Sequence, residues 1–288
     1  MKKKRSFIYR LIKWIGILLL LAALICAFEI YISANWLKVN EYNFESEKVS
    51  NPVKIVILSD LHDHDFKGAL EKKIANEEPD VIIMAGDMIN SDTDKQQQLY
   101  DLISELCKVA PVYYGLGNHE DSYIKNINSS FVEELESYGC KVLDYEYVDL
   151  NIKNNNIRIG GLYDYPYGMG DCYAENASDE VKTFMNDFVN TDHLKLMIAH
   201  RPESYFYGDS SEVYNIDMVI SGHIHGGQVI VPFKGGLYGG DQGWWPKYYH
   251  GLYKKNNINW IITSGLGTSK KKFPRFNNRP EIMILNIN

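Results

Sequence analysis

The sequence predicts an α/β domain of two mixed sheets packed face to face with helices outside, preceded by one N-terminal transmembrane helix. Three observations carry that expectation. In the first half of the chain, apolar runs alternate with segments of helical spacing in the order strand, helix, strand, helix, strand, as parallel βαβ units do. The second half carries short alternating strands around a turn at residues 154–156, then further apolar runs. Residues 14–34 are almost wholly apolar, with Glu29 the only charge, close to the roughly 20 residues that cross a bilayer.

The N-terminus begins with the basic cluster Met1-Lys-Lys-Lys-Arg5, followed by Arg10 and Lys13. Basic residues ahead of an apolar span predict a cytoplasmic N-terminus and a body outside the cytoplasm. A cleaved signal peptide is the competing reading, with Ile32-Ser33-Ala34 as a weak cleavage site. The span is long for a signal peptide, so an uncleaved anchor is expected. Residues 1–34 are thus read as basic tail and anchor, 35–52 as a polar linker with a short strand at 37–44, and 53–288 as the main domain.

Within that domain, Ile55-Val-Ile-Leu58 reads as a buried strand that runs into Asp60 and His62. A side-chain period of two puts both on one side if the backbone stays extended. Residues 67–77 have helical spacing, and Asp80-Val-Ile-Ile-Met-Ala-Gly-Asp87 is a second strand ending in an acid. Residues 95–108 read as a helix, residues 111–120 as a strand ending in Asn118, His119 and Glu120, and residues 131–139 as a helix closed by glycine. Strands are expected at 142–143, 145–152 and 157–162, and a helix at 181–190. Two more runs end in His200 and in His223 and His225, and strands at 258–263 and 281–286 close the chain.

Charge narrows the partners. The six Lys and Arg of residues 1–13 leave 24 against 37 acids, so residues 14–288 carry about −13. Such a body argues against nucleic acid as a bulk partner, which favours a basic surface. Cys107, Cys140 and Cys172 are the only cysteines outside the span, too few for a disulfide framework. The 21 tyrosines suit either strand composition or a wide aromatic surface.

Five apolar runs therefore end in Asp60/His62, Asp87, Asn118/His119, His200 and His223/His225. A single histidine at a strand end is usually structural, and a single Gly-Asp is a common turn. Five strand ends bearing only Asp, Asn and His are hard to explain as turn chemistry. Such an oxygen and nitrogen donor set without thiolate suits Zn, Mn, Fe, Ni or Co, and it is too large for one tetrahedral ion. Two divalent metals are the better count.

Asp60-x-His62, Gly86-Asp87, Gly117-Asn118-His119-Glu120, His200 and Gly222-His223-x-His225 stand in an order and spacing that resembles the calcineurin-like metallophosphoesterases, from about residue 54 to the C-terminus. Gly226-Gly-Gln228, Gly265-Leu-Gly-Thr268 and the stretch 274–281 are similar to its membrane-anchored bacterial branch of phosphodiesterases and lipid-A-precursor pyrophosphatases. The resemblance implies a four-layer α/β/β/α sandwich. It implies one metal on Asp60, His62 and His225, a second on Asn118, His200 and His223, and Asp87 as their bridge. It also implies a phosphoester hydrolase in which a metal-bridging hydroxide attacks phosphorus. His119 would protonate the leaving oxygen or stabilise transition-state charge, and Glu120 either orients His119 or points away. His64, two residues past His62, could back the ligands but reads rather as a solvent-exposed loop residue, and His193 and His250 as ordinary ones. Many family members carry an acid and an arginine soon after Gly-Asp; Gly86-Asp-Met-Ile-Asn90 has neither, which puts a substrate contact from that loop in doubt.

The substrate is less determined. Lys270-Lys-Lys272, Arg275 and Arg279 form a basic cluster that would either bind an anionic group, with Arg275 and Arg279 as substrate ligands, or be a solvated loop. Trp244-Trp245 and Tyr248-Tyr249 would be an interfacial belt, a sugar or base platform, or core. The expected function is hydrolysis of phosphodiester or pyrophosphate bonds, with lipid-linked or envelope substrates as an extension and the cell membrane as location. The alternatives are a phosphomonoesterase or nucleotide hydrolase on the same site, or a non-catalytic metal-binding scaffold.

Overall fold

A computed structural model of the chain describes residues 2–163, 165–168, 172–268 and 273–288. Helix α1 (Lys2–Asn35) leads into β1 (Lys38–Phe44) and β2 (Val53–Leu58). The first half continues as α2 (Ala69–Glu77), β3 (Val81–Met84), α3 (Gln96–Cys107), β4 (Val112–Gly115), α4 (Asn118–Asn126), α5 (Phe131–Ser137) and β5 (Lys141–Leu143). The second half runs β6 (Tyr147–Ile152), β7 (Asn155–Leu162), α6 (Asp179–Val189), β8 (Leu194–Ala199), the short helices α7 (Glu203–Phe206) and α8 (Ser210–Val213), and β9 (Met218–Ser221). A small hairpin, β10 (Ile230–Val231) and β11 (Gly235–Gly236), precedes β12 (Gly251–Lys255), β13 (Ile258–Ile262) and β14 (Glu281–Ile287).

Two six-stranded sheets form, in the orders β1-β14-β2-β3-β4-β5 and β12-β13-β9-β8-β7-β6. Both are mixed: β2, β3, β4 and β5 run parallel while β14 is antiparallel to β2. In the second sheet β7, β8, β9 and β13 are parallel, with antiparallel β6 and β12 at its edges. Strand periodicity explains the layering. Ile55 and Ile57 of β2 face Ile159, Leu196, Ile198 and Ile220 in the core between the sheets. The alternate residues Val56 and Leu58 face Ile74, Leu99, Ile103 and Leu106 on the outer helices. Met197, Val219 and Trp260 on the far side of the second sheet meet Phe184, Met185 and Phe188 of α6. The layers are therefore helix, sheet, sheet, helix, and strands buried on both faces read as continuous apolar runs.

Three expectations change in detail. The short strand expected at 37–44 within the linker joins the sheet as an edge strand: all seven residues of β1 pair in parallel with β14. The turn between β6 and β7 is Lys153-Asn154, both at positive φ (51° and 66°), the geometry of a two-residue primed hairpin. Most relevant to function, β4 stops at Gly115 and Asn118 opens a helix. The periodicity of residues 111–120 does not show that change.

At the N-terminus, residues 7–35 of α1 are long and apolar enough to cross a membrane, and Leu18, Leu19, Leu20 and Leu24 are exposed. Its last turn docks on the domain. Ile32 and Ser33 are buried, and Ser33 Oγ accepts the Asn278 N–H at 3.3 Å.

Candidate metal centre

The site residues lie just past the carboxyl ends of β2, β3, β4, β8 and β9, where the chain leaves each sheet. Open α/β sheets keep ligand sites at such ends. The backbone there is not extended. Asp60, His62, Asp87, His223 and His225 all have positive φ, between 48° and 69°. The period-two expectation for Asp60 and His62 therefore fails, although both side chains reach one place. Left-handed backbone is uncommon in residues other than glycine and concentrates at functional sites.

Two groups of donors converge. In the first, His225 Nε2 lies 3.3 Å from both His62 Nε2 and Asp60 Oδ1, and His62 Nε2 lies 3.8 Å from Asp60 Oδ1. In the second, Asp87, His200 and His223 come together, with His200 Nε2 at 3.1 Å from Asp87 Oδ2. Asp87 also groups with His62 and His119, so its carboxylate stands between the two sets. The two oxygens of Asp87 differ: Oδ1 accepts the His119 N–H at the start of α4 at 2.8 Å, while Oδ2 faces His200 and His119. His200 Nδ1 donates to the Ala85 carbonyl at 2.7 Å, which leaves Nε2 as the atom that faces Asp87 and could hold a metal.

Electrostatics sharpen the picture. Burial pushes the Asp87 carboxyl up, but the imidazoles of His200, His62 and His119 together hold it well below the usual carboxylate range. Burial lowers His200, yet the Asp87 carboxylate beside it raises it to about 9. Each partner thus favours the charged form of the other, so this buried pocket stabilises charge. One atom argues for a metal ion directly. The Asn118 Oδ1 is buried and meets no hydrogen-bond donor among the described residues. Buried carbonyl oxygens are rarely left so, and a metal ligand is the ordinary exception. The donor set fits divalent metal.

The loops are held by residues whose part the sequence did not show. Glu120 does not orient His119. It is fully buried and accepts the N–H groups of Asp87 (2.8 Å), Met88 (2.7 Å) and Gly117 (2.9 Å) and the Tyr114 hydroxyl (2.8 Å). His119 is set by Ser91, whose N–H donates to Nδ1 at 2.9 Å. Asn90 donates to the His62 carbonyl at 3.0 Å and to Asp63 at 2.6 Å, so the loop after Gly86-Asp87 supports the first group of donors. Ser59 Oγ and the His223 N–H hold the Asp60 carboxylate at 2.8 and 3.0 Å. Glycine is required by closeness at two motif positions. A Cβ at Gly117 would fall 2.3 Å from Asp87 Oδ1, and one at Gly222 would fall 1.9 Å from Ser59 Oγ. Arg201, next to His200, puts Nη1 at 2.9 Å from His223 Nε2 and at 2.6 Å from Asp241.

The remaining candidates lie elsewhere. Arg275 is 1% exposed and donates to the carbonyls of Gly267 (2.8 Å) and Ser264 (2.5 Å), so it braces the loop behind Asp60 and has no face open to substrate. Arg279 is exposed and lines a polar cavity beside α1. Lys270-Lys-Lys272 lie outside the described residues. His64 is half-buried against Phe66, not solvent-exposed, and its pKa is lowered by burial. His193 pairs with Asp149 at 3.1 Å and His250 with Glu281 at 2.8 Å. Trp244 and Trp245 are 63% and 41% exposed, whereas Tyr248 is half-buried and stacks on the buried Phe206.

Two facing mixed sheets with outer helices thus gather buried Asp and His side chains at their strand ends, in groups that could hold metal ions. Residues 53–227 match the model of the calcineurin-like phosphoesterases, and the chain belongs to that family. It is 28% identical over 293 residues to an uncharacterized metallophosphoesterase of Campylobacter jejuni, covering 99% of this chain and 72% of that one. It is 28% identical to the phosphodiesterase YaeI of Escherichia coli over 245 residues, 82% of each chain. An uncharacterized metallophosphoesterase of Helicobacter pylori is 27% identical over 80% of this chain, which spans 58% of that relative's length.

Proposed function

We propose that this chain is a membrane-anchored phosphodiesterase that uses two divalent ions, with its catalytic domain outside the cytoplasm. Asp60, His62 and His225 would hold one ion and Asn118, His200 and His223 the other, with Asp87 shared between them. The observation that carries the reading is the position of Asp87, whose one carboxylate borders both groups of donors. When bound, the ions supply Lewis-acid charge to the phosphoryl oxygens and a water of lowered pKa as nucleophile. Mn, Zn, Fe, Ni and Co all suit this donor set.

The protein's own contribution centres on His119. Because Ser91 donates to Nδ1, the ring carries its proton on Nε2, which lies 4.0 Å from Asp87 Oδ2. A neutral imidazole held in this way is a hydrogen-bond donor. This favours stabilising the developing charge on a phosphoryl or leaving oxygen over transferring a full proton. A phosphodiester is preferred to a monoester because the E. coli relative is named a phosphodiesterase. Lipid-linked phosphodiesters or pyrophosphates fit a domain whose exposed Phe233, Trp244 and Trp245 accompany an apolar helix.

The test is hydrolysis of bis(p-nitrophenyl) phosphate beside p-nitrophenyl phosphate by the metal-reconstituted full chain and by His119→Ala. The expected result is faster diester than monoester cleavage. The variant should be slower by about 10²–10³ in kcat, the usual loss of one preorganised donor, with metal content unchanged. Equal diester rates for the two proteins would remove His119 from the reaction. A dominant monoester rate would replace the substrate class.

A further inference from the structure

The chain holds a second polar site, separate from the strand ends, at the neck where α1 meets the domain. A cavity of about 290 Å³ is lined there by Glu29, Lys38, Asn40, His250, Asn278 and Arg279, among others. We infer that this cavity binds the phosphodiester of an anionic bilayer phospholipid. The inference rests on the anchoring reading above.

Three observations lead to it. The first is position. Ser33 bonds Asn278, and Ile32 and Leu37 are buried, so the end of α1 is fixed on the domain. The apolar residues 14–34 span about 30 Å as helix, the thickness of a hydrocarbon core, so the far bilayer surface falls near residue 34. Lys38 and Arg279 thus stand at head-group depth, and the exposed ring of Trp36 lies 5.6 Å from the Arg279 guanidinium.

The second is charge. His250 is paired with Glu281 at 2.8 Å. Glu29 accepts the Ser33 hydroxyl at 3.0 Å. Among the described residues no ion pair within 4.0 Å joins Lys38 or Arg279 to a carboxylate. The lining sets two cations, Lys38 and Arg279, against one carboxylate, Glu29, and hydrogen bonds from a cation to a charged phosphate are the strong ones.

The third is the lining. Asn277 and Asn278 spend their amide N–H groups on the carbonyls of Ile230 (3.0 Å) and His225 (2.7 Å). Asn278 bonds both Ser33 of α1 and the carbonyl of His225, so a lipid held here would brace the loop carrying that residue.

The test is native mass spectrometry of the full chain in detergent with short-chain phosphatidylglycerol, short-chain phosphatidylcholine, or glycerol phosphate. One retained phosphatidylglycerol is expected, with weaker retention of phosphatidylcholine and of glycerol phosphate. Lys38→Gln and Arg279→Gln should each weaken retention roughly tenfold. Glu29→Gln should strengthen it. Equal retention of the two lipids, equal retention by the Lys38 and Arg279 variants, or no retained lipid would overturn the inference. Glycerol phosphate bound as tightly as lipid would reassign the cavity to a soluble anion and also overturn it. Carbonate extraction of membranes separates this from the anchoring reading. A chain that resists extraction yet retains no lipid defeats the cavity assignment alone, whereas a chain that washes off defeats the anchor.

Discussion

Replacing Asp87 with asparagine should remove diester hydrolysis almost completely while leaving the fold intact. The substitution keeps size and shape, and the amide oxygen can still accept the His119 N–H that Asp87 Oδ1 accepts at 2.8 Å. What it removes is the negative charge at Oδ2, which faces His200 at 3.1 Å and His119 at 4.0 Å. Loss of a mere outer partner of a metal ligand typically lowers affinity or activity 10–100-fold. Loss of a carboxylate shared by two ions should exceed that range, so a fall of more than about 100-fold in kcat/KM is expected. Metal content per chain, measured by inductively coupled plasma mass spectrometry after desalting, should fall in parallel. Circular dichroism should show an unchanged fold. Full activity in the variant would mean that Asp87 is not shared.

The second large effect should come from a residue that touches no substrate. Glu120 gathers three backbone N–H groups and the Tyr114 hydroxyl around one fully buried carboxylate. Glu120→Ala would leave several buried donors without an acceptor, and each such loss costs roughly 1–3 kcal/mol. Partial relaxation and entry of water reduce the sum, so a destabilisation of about 3–5 kcal/mol is expected in chemical denaturation. Glu120→Gln keeps one acceptor and should lose less. Because Asp87 sits at φ 54° and Gly86 at φ 86°, the loop would relax once its clamp is gone, and metal affinity should fall with stability. Unchanged metal affinity in Glu120→Gln would limit Glu120 to a structural role.

The pattern of what was legible in the sequence follows from physics. Strands buried on both faces announce themselves as apolar runs, so β2, β3, β4, β8 and β9 were visible, and so were the donors that follow them. Order and spacing of those donors carried the family. Local geometry past the strand ends was not visible, because positive φ at Asp60, His62 and Asp87 is imposed by tertiary bonds and not by local preference. Helix α4 was hidden for the same reason: Gly117-Asn118-His119 reads as a strand ending in ligands. Its start is set by Glu120, which accepts the Gly117 N–H and two N–H groups from the Asp87 loop. Arg275 shows the opposite limit. Lys270-Lys-Lys272 and Arg279 nearby suggest an exposed anion site, yet the Arg275 Nε and Nη2 donate to buried carbonyls of the 264–267 loop. Charge in a sequence window does not report which side of a loop faces inward.

The most direct test of the central claim, one carboxylate serving two metal ions, is the number of Mn equivalents at which hydrolysis saturates. Metal-stripped full-length protein would be titrated with Mn while bis(p-nitrophenyl) phosphate cleavage is followed. No turnover is expected without metal, and saturation is expected at two equivalents per chain. Saturation at one equivalent, or turnover that persists in the stripped protein, would contradict it.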